Sequence, residues 1–241
     1  MKNSLPLVSF FALMKAGKYD IFKFDSKSQC LRFKWGAGIM NEKFFDLKKE
    51  KQDRMINAAL KVFALKGYEH ASTDDIVKEA SISKGLLFHY FISKLGLYTF
   101  IYDYSVKYVM LELSTGVDKN ETDYFKLCKQ VKQAQAQVMN TYPYMVYFLN
   151  ESRKEDVSEA LIETEEKRDV LPAWYAQLLK KADTNRLKAG VEIGKLSAIV
   201  DFTLDGLLAE KFLKNEFQPE QYAREAYEYL DMFKTMAYQE D

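Results

Sequence analysis

Lys84 and His89 stand out as the side chains whose types and spacing could do chemistry, in the run Ser83-Lys84-Gly85-Leu86-Leu87-Phe88-His89-Tyr90-Phe91. With Ser83 as N-cap and Leu87 and Phe91 one turn apart on a buried face, Lys84, Leu86, Phe88 and His89 point outward. A cation in the first turn of a short exposed helix suits a phosphate or a base edge, and outward apolar groups suit thymine methyls. Phe88 has a second reading, in which it folds back onto a neighbouring helix as ordinary packing. Catalysis finds little support. The chain has two histidines, His70 and His89, and two cysteines, Cys30 and Cys128, without metal-type spacing. No nucleophile–base pair and no phosphate-cradling glycine loop emerges. No catalytic residue, metal or cofactor is expected, and the chain reads as a non-enzyme.

The elements that must position this segment are helical. In Lys48 to Lys66 the residues Ile56, Ala59, Leu60 and Phe63 repeat at one-faced helical spacing, and Gly67 is placed to stop that helix. Thr73, followed by Asp74 and Asp75, reads as the N-cap of a second helix with Ile76, Val77 and Ala80 inward. Ser81-Ile82-Ser83 makes a tight turn into the third helix. Ser93 caps a fourth, with Leu97, Ile101, Tyr104, Tyr108 and Leu111 as its stripe. Two short helices joined by a small turn, the second capped and basic at its start, form a helix-turn-helix of the kind that lays a helix in the major groove. The fold class is all-α.

The run from Ala71 to Phe91, followed by Ser93-Lys94, resembles the signature of the TetR/AcrR regulators. The resemblance implies an N-terminal three-helix helix-turn-helix domain, then a larger helical domain that binds a small-molecule effector and dimerises. Carried over position by position, it assigns DNA contacts to Thr73, Ser83, Lys84, Gly85, Leu86, Phe88, His89 and Tyr90. It also assigns a phosphate contact to Lys94 at the start of the fourth helix. The sequence departs from the family pattern at three positions. Ser81 replaces the turn glycine, Leu86 a small hydroxyl residue and Phe88 a tyrosine, which puts the individual base and phosphate contacts in doubt.

Beyond Thr115 helices are predicted at roughly 122–141, 143–152, 156–183, 195–215 and 219–238, with Pro172 kinking or splitting the third of these near Leu171. The last two have broad apolar faces. Leu204, Leu207, Leu208, Phe212, Tyr229, Leu230 and Phe233 are therefore expected at a dimer interface, although periodicity alone is equally served by a monomer core. Met139, Tyr144, Tyr147, Phe148, Trp174 and Tyr175 are expected to line an effector pocket, with core packing as the alternative. Acidic residues outnumber basic ones in this half, while the whole chain balances 35 Lys and Arg against 35 Asp and Glu. A DNA contact therefore belongs nearer the N-terminus.

Residues 1–40 differ in character. Leu5 to Met14 is too short to span a bilayer and lacks a small-residue cleavage site, so no membrane partner is expected. Tyr19 to Phe24 and Leu31 to Trp35 could pair as a hairpin. The composition break predicts that the native protein begins at Met40. The resulting division is 1–40 extension, 41–95 helix-turn-helix and 96–241 effector and dimerisation domain. The two distant cysteines suit a reducing cytoplasm. The expected function is a homodimeric, ligand-responsive repressor on a palindromic double-stranded operator; the competing class is a helical protein-interaction module without sequence-specific DNA binding.

Overall fold

The computed structural model describes residues 42–239; the hairpin and start-site expectations lie outside them. A 3-10 turn, Glu42–Asp46, leads in and drops Phe44 into the core at 0% exposure. Its ring meets Tyr90 at 5.6 Å and Phe100 at 5.4 Å, edge to face. Buried Gln52 fixes the turn by donating to the carbonyls of Phe45 at 3.1 Å and Leu47 at 2.7 Å.

Four helices follow: α1 Lys49–His70, α2 Thr73–Ala80, α3 Lys84–Phe91 and α4 Lys94–Gly116. Within α1, Gly67 adopts φ 68° and ψ 177°, so the expected stop is a sharp kink and one more turn carries on to His70. The N-cap of α2 is Ser72 and not Thr73: the Ser72 hydroxyl accepts from the amides of Asp74 at 3.0 Å and Asp75 at 3.4 Å. The residue one place earlier takes the cap because its extended backbone aims the hydroxyl at the two free N–H groups. Helix α4 buries far more than one stripe, Phe100, Tyr102 and Asp103 included. It does so because it packs against helices of both halves.

Those of the second half are α5 Tyr124–Thr141, α6 Met145–Glu151, α7 Ser158–Arg168, α8 Val170–Lys181, α9 Ile193–Leu213 and α10 Pro219–Ala237. Helix α4 touches α1 and α3 on one side and α5, α6, α7 and α8 on the other. Asp123 caps α5, accepting from Phe125 N at 3.0 Å and Lys126 N at 3.1 Å, and pairs with Arg186 at 2.8 Å. The stretch 156–183, expected to kink or split near Leu171, is two helices that meet at Asp169. Pro172 thereby falls in the first turn of α8, where no intrahelical amide donor is required. Among the described residues there is no strand, only an isolated antiparallel bridge between Leu187 and Tyr238. No helix among them is long and apolar enough to cross a membrane.

The faces of α9 and α10 divide differently from expectation. Leu204, Leu207, Leu208, Phe212 and Leu230 are buried within this single chain, so they are core and not interface. The exposed apolar groups lie on the opposite side: Ile199, Phe202 and Leu213 on α9, and Tyr229, Met232 and Met236 on α10. Phe202 and Leu213 are 78% and 79% exposed, which no core role explains. Phe233 is half-buried.

Gly67 occupies a backbone region that is nearly closed to residues with a Cβ, at a cost of about 1–3 kcal/mol. Gly67→Ala is therefore expected to lower unfolding free energy by about that amount, measured by urea denaturation. An unchanged midpoint would show that the kink relaxes freely.

Candidate nucleic-acid interface and interior cavity

The turn between α2 and α3 closes around Ser81 in the left-handed conformation, φ 52°, with its N–H bonded to Lys78 O. Serine thus performs the turn that glycine would make more easily. Ser83 caps α3 through Leu86 N at 3.2 Å, and Ser93 caps α4 through Gly96 N at 2.9 Å. Leu87 and Phe91 face inward. Lys84, Gly85 and His89 are exposed, with Leu86 and Phe88 half-buried beside them. Lys84 pairs with Asp74 at 2.9 Å, which joins the N-terminal ends of α2 and α3 and leaves half-buried Thr73 next to the same edge. Both partners of that pair are exposed, so exchanging Asp74 for a phosphate costs little.

Two carried-over contacts sit elsewhere. Tyr90 is buried at 7% exposure with its ring against Phe44, so it supports α3 from behind. Lys94 turns inward to the end of α1, where its ammonium donates to the carbonyls of Tyr68 at 2.9 Å and of Glu69 and Ala71 at 3.3 Å. It also lies over the Tyr68 ring at 4.4 Å. A cation there answers the unpaired carbonyls and negative dipole of a helix C-terminus.

Helix α1 is bolted to the second half at both ends. Near its start, the Tyr142 hydroxyl donates to Asp53 Oδ1 at 2.7 Å, lies 2.8 Å from the Tyr104 hydroxyl and accepts from Lys49 Nζ at 2.8 Å. Burial first, then Tyr104 and Asp53, raise the Tyr142 hydroxyl well above its ordinary range, so it remains protonated in this cluster. Near the far end, Tyr68 N donates to Glu155 Oε2 at 2.9 Å and the Tyr68 hydroxyl bonds Glu159. Between the two, the Phe148 ring of α6 packs against Phe63 of α1 and against Tyr98 and Tyr102 of α4.

Behind this junction lies a cavity of about 350 Å³ between α4, α5, α6, α7, α8 and α9. Its wall is mainly Val, Leu and Tyr, with Lys132, Gln135, Arg153, Arg168, Asp201 and Asp205 as polar members. Gln135 Oε1 accepts from Lys132 Nζ at 3.0 Å, and Gln135 Nε2 donates to Tyr175 at 3.1 Å. Burial works against the Lys132 ammonium, yet Tyr222, Tyr175, Asp205 and Asp201 together outweigh it and raise its pKa, keeping it charged. Cys128 lines the same wall, and burial pushes its thiol up to about 12, so it is not a thiolate nucleophile. Among the described residues no group of His, Cys, Asp and Glu could hold a metal ion.

Residues 55–99 match the family model described as bacterial regulatory proteins, tetR family. An uncharacterized HTH-type transcriptional regulator, YuxN of Bacillus subtilis (strain 168), is 40% identical over 82 residues. That match covers 32% of this chain, which spans 28% of the length of that relative. A TetR-family regulator structure from Chloroflexus aurantiacus J-10-FL superposes with a TM-score of 0.62 at 18% identity, over 84% of this chain and 100% of that one. Another, from Agrobacterium tumefaciens, gives 0.55 at 16% identity, over 76% and 97%.

Residues 55–99 are thus similar to the DNA-binding region of the tetR family, and the described chain shares the fold of its solved members.

The pocket expected from aromatic content is largely core. Of the six residues named, Tyr175 alone lines the cavity. Met139 is fully buried. Tyr147 stacks on Phe212 at 4.5 Å and Tyr144 meets the same ring tilted at 4.8 Å, tying α6 and its N-cap to α9, and Trp174 stands edge-on to Tyr175 at 5.3 Å. The residues missed are Lys132, Gln135, Asp201 and Asp205. Their signal was present in the sequence: Lys132 and Gln135 continue the apolar stripe of Leu127, Cys128 and Val131, where an ordinary core helix would have another aliphatic side chain.

The position of Lys94 separates two roles by experiment. As the cap of α1, its replacement in Lys94→Met is expected to lower thermal stability by about 1–2 kcal/mol, read by calorimetry. A lysine serving only as a phosphate contact would leave stability unchanged.

Proposed function

We propose that this protein is a DNA-binding transcriptional regulator that grips a palindromic operator as a homodimer and is released by a small molecule held in the interior cavity. The observation that carries the reading is the α2–turn–α3 unit, within the stretch that matches the tetR model, presenting a capped short helix with Lys84, Gly85 and His89 outward. Gly85 adds a detail. A Cβ built there meets nothing within 4 Å, so the fold itself has no need of glycine at this position. Close approach of a DNA backbone does have such a need.

One recognition helix reads too few base pairs for selectivity, and a second head on a two-fold axis doubles the site. The exposed apolar stripes on α9 and α10 supply a surface for that symmetry. On α9, Ile199, Phe202, Gly206 and Leu213 follow at steps of three, four and seven residues, the spacing of a helix seam, and Tyr229, Met232 and Met236 follow at steps of three and four on α10. Two such pairs of helices would close into a four-helix interface.

Coupling between cavity and head runs through the junction. Arg168, on the cavity wall, donates to Ser152 O at 3.0 Å through both terminal nitrogens. Glu155, three residues on, holds Tyr68 N. A ligand that shifts Arg168 would change the hold on the end of α1, and with it the spacing of the two heads.

Selection from a random duplex library, followed by fluorescence anisotropy in a salt series, tests the regulator reading. A selected palindrome whose binding weakens steeply with salt is expected. Lys84→Ala should weaken it about tenfold, and Gly85→Ala should weaken it without loss of thermal stability. Failure to enrich any sequence would favour the protein-interaction module. For the dimer, sedimentation should give twice the 28.1 kDa chain mass, with Phe202→Glu reducing it to the monomer; a monomeric wild type would remove the interface.

A further inference from the structure

The cavity wall is asymmetric in its unmet hydrogen bonds. Arg168 Nε is buried without a partner, and it is a donor. Lys132 is buried at 9% exposure on the same wall. Among the described residues it makes no ion pair within 4 Å, and it donates to a neutral amide oxygen, Gln135 Oε1 at 3.0 Å. An ammonium has three donors, and the oxygens that bond this one, those of Gln135 and Tyr222, are neutral, while Asp201 and Asp205 act on it from beyond ion-pair distance. Asp201 and Asp205 favour that charge from a distance and give it no direct oxygen. Asp205 already accepts from Asn150 at 2.9 Å and pairs with Arg153 at 3.5 Å, while Asp201 is exposed. The unmet polar demand is thus for acceptors and negative charge, and the rest of the wall, with Val106, Leu127, Val131, Val146 and Leu149, demands hydrocarbon.

We propose that the cavity is a site for a small amphipathic carboxylate, with its head group paired to Lys132 and its hydrocarbon laid along the aliphatic wall of α4, α5 and α6. The inference rests on the reading of this cavity as the effector site and names the chemical class of the effector. The volume of about 350 Å³ lies near the lower end of the roughly 300–1,000 Å³ typical of ligand pockets, so the chain must be short. The charges on the wall favour the same sign: Lys132, Arg153, Lys167 and Arg168 face only Asp201 and Asp205. A cationic amphipath would bring a further positive charge beside an enclosed ammonium.

Three probes of equal chain length discriminate head groups: octanoate, 1-octanol and octylamine, titrated into the full chain by calorimetry. Octanoate is expected to bind saturably and most tightly. Lys132→Met, close in volume, should lose roughly thirtyfold or more of octanoate affinity while leaving octanol binding as it was. Leu149→Trp, which fills the cavity, should abolish both and serves if Lys132→Met does not fold. Octylamine binding as tightly as octanoate, octanoate no better than octanol, unchanged octanoate affinity in Lys132→Met, or no binding of any probe would each overturn the proposal. Operator binding measured without probes keeps the two readings apart. Selective DNA binding with no octanoate site would sink the carboxylate and leave the regulator, whereas an octanoate site without selective DNA binding would do the reverse.

Discussion

Helix α1 is buried on two sides at once, and the arrangement of the molecule depends on that double burial. One side, with Ile56, Ala59, Leu60 and Phe63, closes the small core over α2 and α3. The other meets α6, with Phe148 between α1 and α4. A three-helix unit of this size has little apolar area of its own to bury, so sharing its first helix with a larger body contributes stability it otherwise lacks. The same sharing removes independence. The exposed face of α3 can be reoriented only by moving α1 or by bending the chain at its ends, and both ends are held: Asp53 by Tyr142, and Tyr68 by Glu155 and Glu159.

Helix α4 is the second shared element. It starts at Ser93 beside the recognition helix, and Tyr102, Val106 and Val109 in its middle form part of the cavity wall. Helix α8, which supplies Leu171, Tyr175 and Leu178 to the opposite wall, has no fully buried residue among its twelve. The cavity is therefore bounded on one side by a deeply buried helix that leads to the three-helix unit and on the other by a helix whose residues are all at least partly exposed.

The helix-turn-helix was legible because its signals are local. Ser83 and Ser93 cap the helices that follow them, and Leu87 and Phe91 face the core, all within a few residues of the positions that announce them. Even there the α2 cap fell one residue early, at Ser72. Lys94 was less legible because its acceptors, the carbonyls of Tyr68, Glu69 and Ala71, belong to a distant helix end that only tertiary packing brings near. The faces of α9 and α10 show a different limit: Leu204 and Leu208 have the same periodicity as Ile199 and Phe202, and nothing in a period says which face meets its own chain. Aromatic richness misled for a related reason. Phe148, Tyr147 and Phe212 fill space between helices, whereas the cavity is marked by polar residues placed where packing alone would favour leucine.

Gly67 has a mechanical consequence. The last turn of α1, Tyr68 to His70, is where Glu155, Glu159 and Lys94 all take hold, and it is separated from the rest of the helix by a single residue outside helical geometry. Rotation about two backbone dihedrals can thus swing that turn, and α2 behind it, without breaking any hydrogen bond in the preceding body of α1. Any displacement of Glu155 or Glu159 would therefore reach α2 through this one residue.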